Sequence, residues 1–358
     1  MADRGEIEQT GTPERDAHRL RAGIAWSAAL LALLLAIGLA VPDLRSVLAR
    51  VAHAGPGWIV LAVALEIASC LGYVATLRLV LPRGPRREVR WLAWAEMAFG
   101  AVVPVGGAGG LAVGAWAMRA WGIRWSRIAN RSAVVFLLTS GINGSVLVLS
   151  GIGVALGLGS PHEGVEYGLV PATATLVGLG FFVSLPIVCK RRGQPPKSRW
   201  RGRLVRIAAT WVADAEELVR CPSWRLLGSV GYLLFDVAVL WACLRAVGTS
   251  PPVFAIVTGY QIGYLANLIP IPGGVGVLEG GLLGALLLYG LPAAPTAAAV
   301  VLYHAVALWV PVIGGTIGFG RLRGTLTARA GKLEQLKPRD RERGPVPAGV
   351  ARMDEIAA

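Results

Sequence analysis

Residues 267–279 decide the fold, because they read Asn-Leu-Ile-Pro-Ile-Pro-Gly-Gly-Val-Gly-Val-Leu-Glu in the middle of the apolar region 253–289. Proline removes a backbone N–H donor and glycine weakens a helix, so one continuous helix is not expected to pass through this stretch. A related interruption, Val-Pro-Val-Gly-Gly-Ala-Gly at 103–109, lies inside the apolar region 91–121. Each region therefore predicts two short helices joined by irregular backbone.

The two interruptions also indicate an internal repeat of about half the chain. Pro104 aligns with Pro270 and Gly122 with Gly290, at offsets of 270 − 104 = 166 and 290 − 122 = 168 residues. Offsets this similar need only small insertions between the two copies. Self-similarity at a fixed period is the sequence signature of repeated structural units.

The composition of the whole chain indicates a membrane protein. The 358 residues are 54% hydrophobic, and the mean hydropathy is +0.59. A membrane-spanning helix needs about twenty consecutive apolar residues. We therefore predict an all-α polytopic membrane protein with six full spans at 23–41, 58–80, 132–157, 168–189, 225–247 and 297–319. The first run exceeds a signal-peptide core, so retention is favoured, with cleavage after Ala40 as the alternative.

The distribution of basic residues predicts the orientation. Lys and Arg cluster in the segments after 58–80, before 132–157 and after 168–189, whereas the segments 158–167, 248–252 and 290–296 have few charges or none. By the positive-inside rule the basic segments face the cytoplasm of a plasma membrane, as do both termini. Region 91–121 then starts and ends inside and region 253–289 starts and ends outside, so the two copies are inverted. Their half-helices are short, which favours re-entrant hairpins over full crossings.

The predicted organisation has five parts. They are a polar cytoplasmic N-terminus (1–21), a first membrane half (22–190), a basic linker with an interfacial helix (191–222), a second membrane half (223–320) and a basic disordered tail (321–358). The interfacial helix is predicted because apolar residues recur at helical spacing between charged ones.

Several function classes are disfavoured. The net charge of +14 lies in short segments between apolar runs, so nucleic-acid binding is not expected. The four cysteines are widely spaced and no metal-binding motif occurs, so neither a metal nor a cofactor is predicted. No catalytic motif is present, and the chain is predicted not to be an enzyme.

The broken regions are the predicted binding site. The N–H and C=O groups of irregular backbone at membrane depth must form hydrogen bonds with protein or with water in a cavity. Inverted repeats with broken helices are typical of transporters. Packing of helices through small residues is the alternative explanation of the glycines. The predicted head-group contacts are Pro104, Gly106, Gly107, Arg119, Gln261, Asn267, Pro270, Pro272, Gly273, Gly274, Gly276, Glu279 and His304. For Gln261 and Asn267 the favoured alternative is that they form hydrogen bonds with backbone groups freed at the break.

Ionisable residues within the membrane regions are functional candidates because a charge there costs at least about 2.5–3.5 kcal/mol on insertion scales. Glu279 follows the second break by one turn, and it either contacts substrate or pairs with the helix N-terminus. His304 either pairs with Glu279 or forms a structural hydrogen bond. Glu66 and Asp236 occupy similar places in the two copies, and the roles of these two residues and of Glu96 stay open.

The stretch 267–279 resembles the flippase-like membrane region of lysylphosphatidylglycerol synthases, the multiple peptide resistance factors. The family signature is a Pro-x-Pro-Gly-Gly-x-Gly-x-x-Glu run, then a turn glycine, matched by Gly290, and a last span carrying Leu-Tyr-Arg. The resemblance covers roughly residues 22–320 and implies a lipid-translocating or lipid-handling domain.

Two departures weaken a head-group contact carried over from the family. His304 stands where the family usually has Arg, and the first motif has only Gly and apolar residues until Arg119. Arg321 is followed by 37 residues, too few for an aminoacyl-transferase domain, so lysyl transfer from tRNA is not expected.

Three functions remain open from the sequence. The favoured one is a lipid flippase or translocator of a lipid-linked intermediate, which binds an anionic or modified head group at the Gly-rich hairpins. The alternatives are a small-solute secondary transporter, or a non-transporting membrane partner of a separately encoded synthase or transferase. Membrane lipids are the predicted ligands.

Overall fold

The computed structural model describes residues 42–102, 108–158, 165–192, 199–220, 223–265 and 277–342. These residues form helices and no strand. The helices are α1 (Pro42–Ala52), α2 (Pro56–Val80), α3 (Arg86–Val102), α4 (Ala108–Ala120), α5 (Trp125–Gly153, extended by a π-helical turn Val154–Leu158), α6 (Val165–Arg192), α7 (Arg199–Arg220), α8 (Leu226–Ala246), α9 (Val253–Leu265), α10 (Val277–Leu288) and α11 (Ala293–Glu342). Helix α1 belongs to a separate unit that ends at His53.

Four described helices are long and apolar enough to cross a membrane. They are Pro56–Val80, Trp125–Leu158, Leu226–Ala246 and Ala293–Arg329, and they contain nearly all of four predicted spans. The predicted span 168–189 lies within α6, whose apolar part is Val165–Phe181. The predicted span 23–41 lies outside the described residues. The all-α membrane class is therefore confirmed, while the count of six spans stays a prediction.

The two broken regions form two pairs of short helices, the first pair being α3 and α4 and the second pair α9 and α10. The four helices have 17, 13, 13 and 12 residues. At 1.5 Å per residue they are about 26, 20, 20 and 18 Å long, shorter than the roughly 30 Å hydrocarbon core. Their joining segments, 103–107 and 266–276, lie outside the described residues, so re-entrance itself stays a prediction.

Packing in the two halves follows the same pattern. Helix α3 packs against α11 and its counterpart α9 packs against α5, while α2 packs along its counterpart α8. The turns after α4 and α10 also match, because Gly122 and Gly290 adopt φ of 84° and 79°. In each turn the glycine N–H bonds to the carbonyl three residues back, and the next N–H bonds to the carbonyl five residues back. Left-handed backbone of this kind favours glycine, which explains why both copies carry it.

Helix α7 occupies the predicted interfacial segment and packs against α5 and α6. The Asn130 side-chain amide of α5 donates a hydrogen bond of 2.8 Å to the Asp214 carboxyl of α7. The apolar and charged faces of α7 fit the predicted amphipathic pattern, and its position on the inner leaflet stays a prediction.

The predicted disorder of the C-terminal tail is corrected for residues 321–342, which continue α11 to Glu342. Leu322 and Leu326 are buried in a cluster with Val89 and Leu92 of α3. Arg329 also pairs with Glu88 at 2.7 Å. These contacts stabilise helix beyond the membrane span, and hydropathy alone does not predict them. Residues 343–358 lie outside the described part of the chain.

Candidate functional site

The site is built on the close antiparallel crossing of α2 and α8. A methyl group placed on Gly72 would lie 2.6 Å from the backbone carbonyl oxygen of Gly228, so only glycine permits this approach. Polar bonds join the same faces: the Ser69 hydroxyl donates to the Tyr232 carbonyl at 2.8 Å, and the Thr76 and Ser229 hydroxyls are 2.7 Å apart. Small residues at such an interface let two backbones meet in a membrane.

Two carboxyl groups lie at this crossing, one from each helix. Glu66 is 5% exposed. Its Oε1 accepts a weak bond of 3.7 Å from the Cys70 thiol, and its Oε2 has no hydrogen-bond partner among the described residues. Asp236 is close enough to Glu66 for the two to repel each other when both are ionised.

Asp236 is held by tyrosines from two other helices. The Tyr260 hydroxyl of α9 donates a short hydrogen bond to Asp236 Oδ2. The Tyr303 hydroxyl of α11 donates to Oδ1 at 3.1 Å. The Tyr260 and Tyr303 rings are also in edge-to-face contact, with centroids 6.2 Å apart. Asp236 therefore connects the crossing to the second helix pair and to the last span.

A third carboxyl group connects the crossing to the first helix pair. Glu96 of α3 is 8% exposed and accepts a hydrogen bond of 2.9 Å from the Tyr73 hydroxyl of α2. Glycines of α4 pack against Glu96: a methyl group on Gly114 would collide with the Glu96 carboxyl, and one on Gly110 would lie 2.6 Å from the Glu96 backbone carbonyl oxygen. The Tyr73 ring in turn contacts the Tyr232 ring, at a centroid distance of 5.4 Å.

We refer to Glu66, Glu96, Asp236, Tyr73, Tyr260 and Tyr303 together as the carboxyl–tyrosine network. Among the described residues, no lysine or arginine forms an ion pair with its three carboxyl groups. No group of three or more His, Cys, Asp or Glu side chains with metal-binding geometry occurs within the described part of the chain. The network thus offers carboxyl oxygens and hydroxyls to a ligand or to each other.

Comparison with known proteins identifies the protein family of this chain. Residues 22–315 match the family described as Lysylphosphatidylglycerol synthase TM region. The chain belongs to this family. It is also 37% identical over 90 residues to a UPF0104 membrane protein of Methanothermobacter thermautotrophicus (strain ATCC 29096 / DSM 1053 / JCM 10044 / NBRC 100330 / Delta H). That match covers 25% of this chain and 26% of the relative.

Membership of the lysylphosphatidylglycerol synthase membrane-region family confirms the resemblance seen in the sequence. It points to a membrane protein related to lipid modification or lipid movement. The family covers the membrane region and not a transferase domain, which makes a non-enzymatic role plausible for the matched residues.

Most of the predicted head-group contacts lie outside the residues that the structure describes. Outside the described residues lie Pro104, Gly106, Gly107, Asn267, Pro270, Pro272, Gly273, Gly274 and Gly276. Glu279 is in the first turn of α10, but its side chain is not described. The predicted pairing of Glu279 with His304 therefore stays a prediction. The His304 ring lies beside Tyr303, with centroids 6.2 Å apart.

Besides His304, two further predicted contacts are described, and they differ in position. Gln261 is 3% exposed in α9, next to Tyr260, and its Nε2 has no hydrogen-bond partner among the described residues. Arg119 is at the end of α4, where its guanidinium donates to the Ile123 carbonyl at 3.0 Å and lies over the Trp125 ring. Gln261 therefore lies beside the network, whereas Arg119 forms local contacts at the end of α4.

The sequence missed the tyrosines of the network. Tyr260 bonds to a residue 24 positions away and Tyr303 to one 67 positions away, so local spacing carries no signal for either contact. The sequence feature that points to the network is the similar position of Glu66 and Asp236 in the two copies of the repeat. A buried carboxyl requires hydrogen-bond donors, and tyrosines in neighbouring spans are natural donors.

An apolar cavity of about 520 Å³ adjoins the first helix pair. Its walls include Phe99 of α3, Trp116 of α4 and Phe319 of α11, and the two latter rings are 5.6 Å apart. The site therefore combines polar groups inside the helix bundle with an apolar recess beside the same helices.

Proposed function

We propose that this protein moves a phospholipid between the two leaflets, with the carboxyl–tyrosine network as the path of the head group. The observation that carries the proposal is that three carboxyl groups lie on α2, α3 and α8, and that tyrosines join two of them to the helix pairs. Tyr73 donates to Glu96 in the first pair, and Tyr260 of the second pair donates to Asp236. Family membership supports a lipid as the ligand.

The energetic cost of these groups supports a functional role. A carboxylate inside a membrane domain costs at least about 2.5–3.5 kcal/mol on insertion scales, and apolar packing would hold α2 and α8 together at lower cost. The glycines at Gly72 and Gly228 already bring the two backbones together. Carboxyl groups retained at such a crossing are therefore best explained by a ligand.

The charge of the network favours one kind of head group. Because no described arginine or lysine neutralises the three carboxyl groups, they complement a ligand that carries an ammonium group. Among the anionic or modified head groups that the sequence predicts, an amine-modified one fits best. The sequence prediction that the Gly-rich segments 103–107 and 266–276 also bind the head group is part of the same proposal. The apolar cavity beside α3 and α4 would accept part of an acyl chain.

The test is lipid movement in proteoliposomes that contain the purified full chain. Acyl-labelled fluorescent lipids with an aminoacylated, an anionic or a choline head group are compared by dithionite quenching, with and without an imposed proton or sodium gradient. We expect the aminoacylated lipid to move fastest. Asp236→Asn and Glu66→Gln should each slow it about tenfold, equivalent to about 1.4 kcal/mol in the barrier.

Glu216→Gln is the matched control, because Glu216 pairs with Arg220 on the exposed surface of α7. Its rate should equal that of the wild type. Wild-type protein that moves no lipid above empty liposomes under any gradient would overturn the proposal. Gradient-driven solute uptake without lipid movement would favour the transporter, and co-purification of a lipid-modifying enzyme without movement would favour the membrane-partner function.

A further inference from the structure

A second cavity lies at one end of the α2–α8 crossing, away from the network. It has a volume of about 300 Å³ and is lined by Arg78 at the end of α2, Arg86 at the start of α3, and Trp224 and Arg225 before α8. Arg78 follows Glu66 by 78 − 66 = 12 residues in α2. That is about 18 Å along the helix at 1.5 Å per residue, so one head group cannot fill both places.

Charges of one sign surround this cavity. The groups that act electrostatically on Arg78 are Arg90, Arg225 and Arg86, all cations. Within the described ranges, no carboxylate lies at ion-pair distance from Arg78, Arg86 or Arg225. Three guanidinium groups held together without a counter-charge repel one another, and an anion would relieve that repulsion.

The hydrogen-bond donors of Arg78 are only partly used. One Nη donates to the Arg86 carbonyl at 3.0 Å, while Nε is buried and has no acceptor in the described structure. An unsatisfied buried donor is costly, and the planar guanidinium matches the oxygens of a phosphate. The arrangement is thus suited to an oxyanion that enters the cavity.

The surroundings favour a lipid over a free ion. Trp224 is 72% exposed beside the cavity, and the Arg225 guanidinium lies over its ring at 5.9 Å. Tryptophan and arginine together are typical of the level of the lipid head groups in a membrane. A volume of 300 Å³ is at the lower limit for ligand pockets, which suits a head group without its acyl chains.

We propose that this cavity, the arginine pocket, binds the phosphate of an anionic phospholipid in the leaflet next to the basic loops, which the positive-inside rule predicts to be cytoplasmic. The pocket is a binding site in its own right and does not rest on the proposed lipid movement. Phosphatidylglycerol should bind better than phosphatidylcholine, because a choline group would be placed among three cations.

The test uses the purified full chain in detergent, titrated with dioctanoyl phosphatidylglycerol, dioctanoyl phosphatidylcholine and inorganic phosphate, with binding followed by native mass spectrometry and by displacement. We expect Arg78→Gln and Arg225→Gln each to weaken phosphatidylglycerol binding about tenfold, as for loss of one charge-assisted bond. Arg86→Gln, at an exposed position, should weaken binding without affecting folding.

Arg245→Gln is the matched control at the opposite end of α8, where Arg245 lies over the Trp58 ring. Its affinity should be unchanged. Equal affinity in the wild type and all three pocket variants would overturn the proposal. Displacement of the lipid by inorganic phosphate at equal concentration would overturn the lipid assignment and identify free phosphate as the ligand.

Discussion

At the scale of single residues, Asp236 shows how a carboxyl group is accommodated inside a helix bundle. It accepts hydroxyl donors from Tyr260 and Tyr303, which belong to two different helices. Charge-assisted bonds of this kind are stronger than neutral ones, and each lost donor leaves an oxygen unsatisfied. The tyrosines therefore serve both the stability of the fold and the position of the carboxyl group.

Replacing one of these donors should affect both properties. We expect Tyr303→Phe to lower the free energy of unfolding by about 1–3 kcal/mol and to slow lipid movement. Thermal unfolding in detergent and the proteoliposome assay measure the two effects. Tyr289→Phe is the control, because the Tyr289 hydroxyl donates to the Tyr167 carbonyl at 2.9 Å, outside the network. If both variants slowed lipid movement equally, Tyr303 would have only a structural role.

The sequence predicts part of this site. Ionisable residues in apolar runs are visible by inspection, so Glu66, Glu96 and Asp236 are found at once. Their partners are not, because the bond from Tyr73 to Glu96 and those from Tyr260 and Tyr303 to Asp236 depend on which helices pack together. Arg119 is a predicted head-group contact, yet its bond to the Ile123 carbonyl is a local contact at a helix end.

At the scale of helices, close glycine contacts set the geometry of both helix pairs. In the second pair, a methyl group on Gly263 of α9 would lie 2.6 Å from the Leu282 Cα of α10. Gly280, also in α10, faces open space. The same residue type is therefore essential at one position and replaceable at the other.

This contrast gives a matched pair of variants. Gly263→Val should push α9 from α10 and lower the free energy of unfolding by about 1–3 kcal/mol, the usual cost of overpacking. Gly280→Ala should leave stability unchanged or raise it by up to about 1 kcal/mol, because alanine is the better helix former. Thermal unfolding in detergent distinguishes them. Equal destabilisation by the two changes would show that α9 and α10 do not pack as described.

Hydropathy predicts the spans well and the helix ends poorly. Long apolar runs in the sequence identify α2, α5, α8 and the membrane part of α11, because a membrane-spanning helix needs about twenty apolar residues. The end of α11 depends instead on Leu322 packing with α3 and on Arg329 pairing with Glu88. These long-range contacts have no periodic signal in the local sequence.

At the scale of the whole molecule, the basic loops predict an inverted arrangement of the two halves. In a chain with its native cysteines replaced by serine, Ser250→Cys after α8 should react with an impermeant maleimide in intact cells. Trp224→Cys before α8, at a position that is 72% exposed, should react only after permeabilisation, because Arg220 and Arg225 predict that this end is cytoplasmic. The opposite labelling pattern would contradict the predicted orientation.

Photo-crosslinking can show whether a lipid head group reaches the carboxyl–tyrosine network. The purified chain is reconstituted with an aminoacylated phospholipid that carries a diazirine on its head group, illuminated, digested and mapped by mass spectrometry. We expect labelled peptides within 56–80, 226–246 and 253–265, with less labelling in Asp236→Asn and competition by unlabelled lipid. Labelling confined to the lipid-facing surface, unchanged by Asp236→Asn, would contradict the proposed path of the head group.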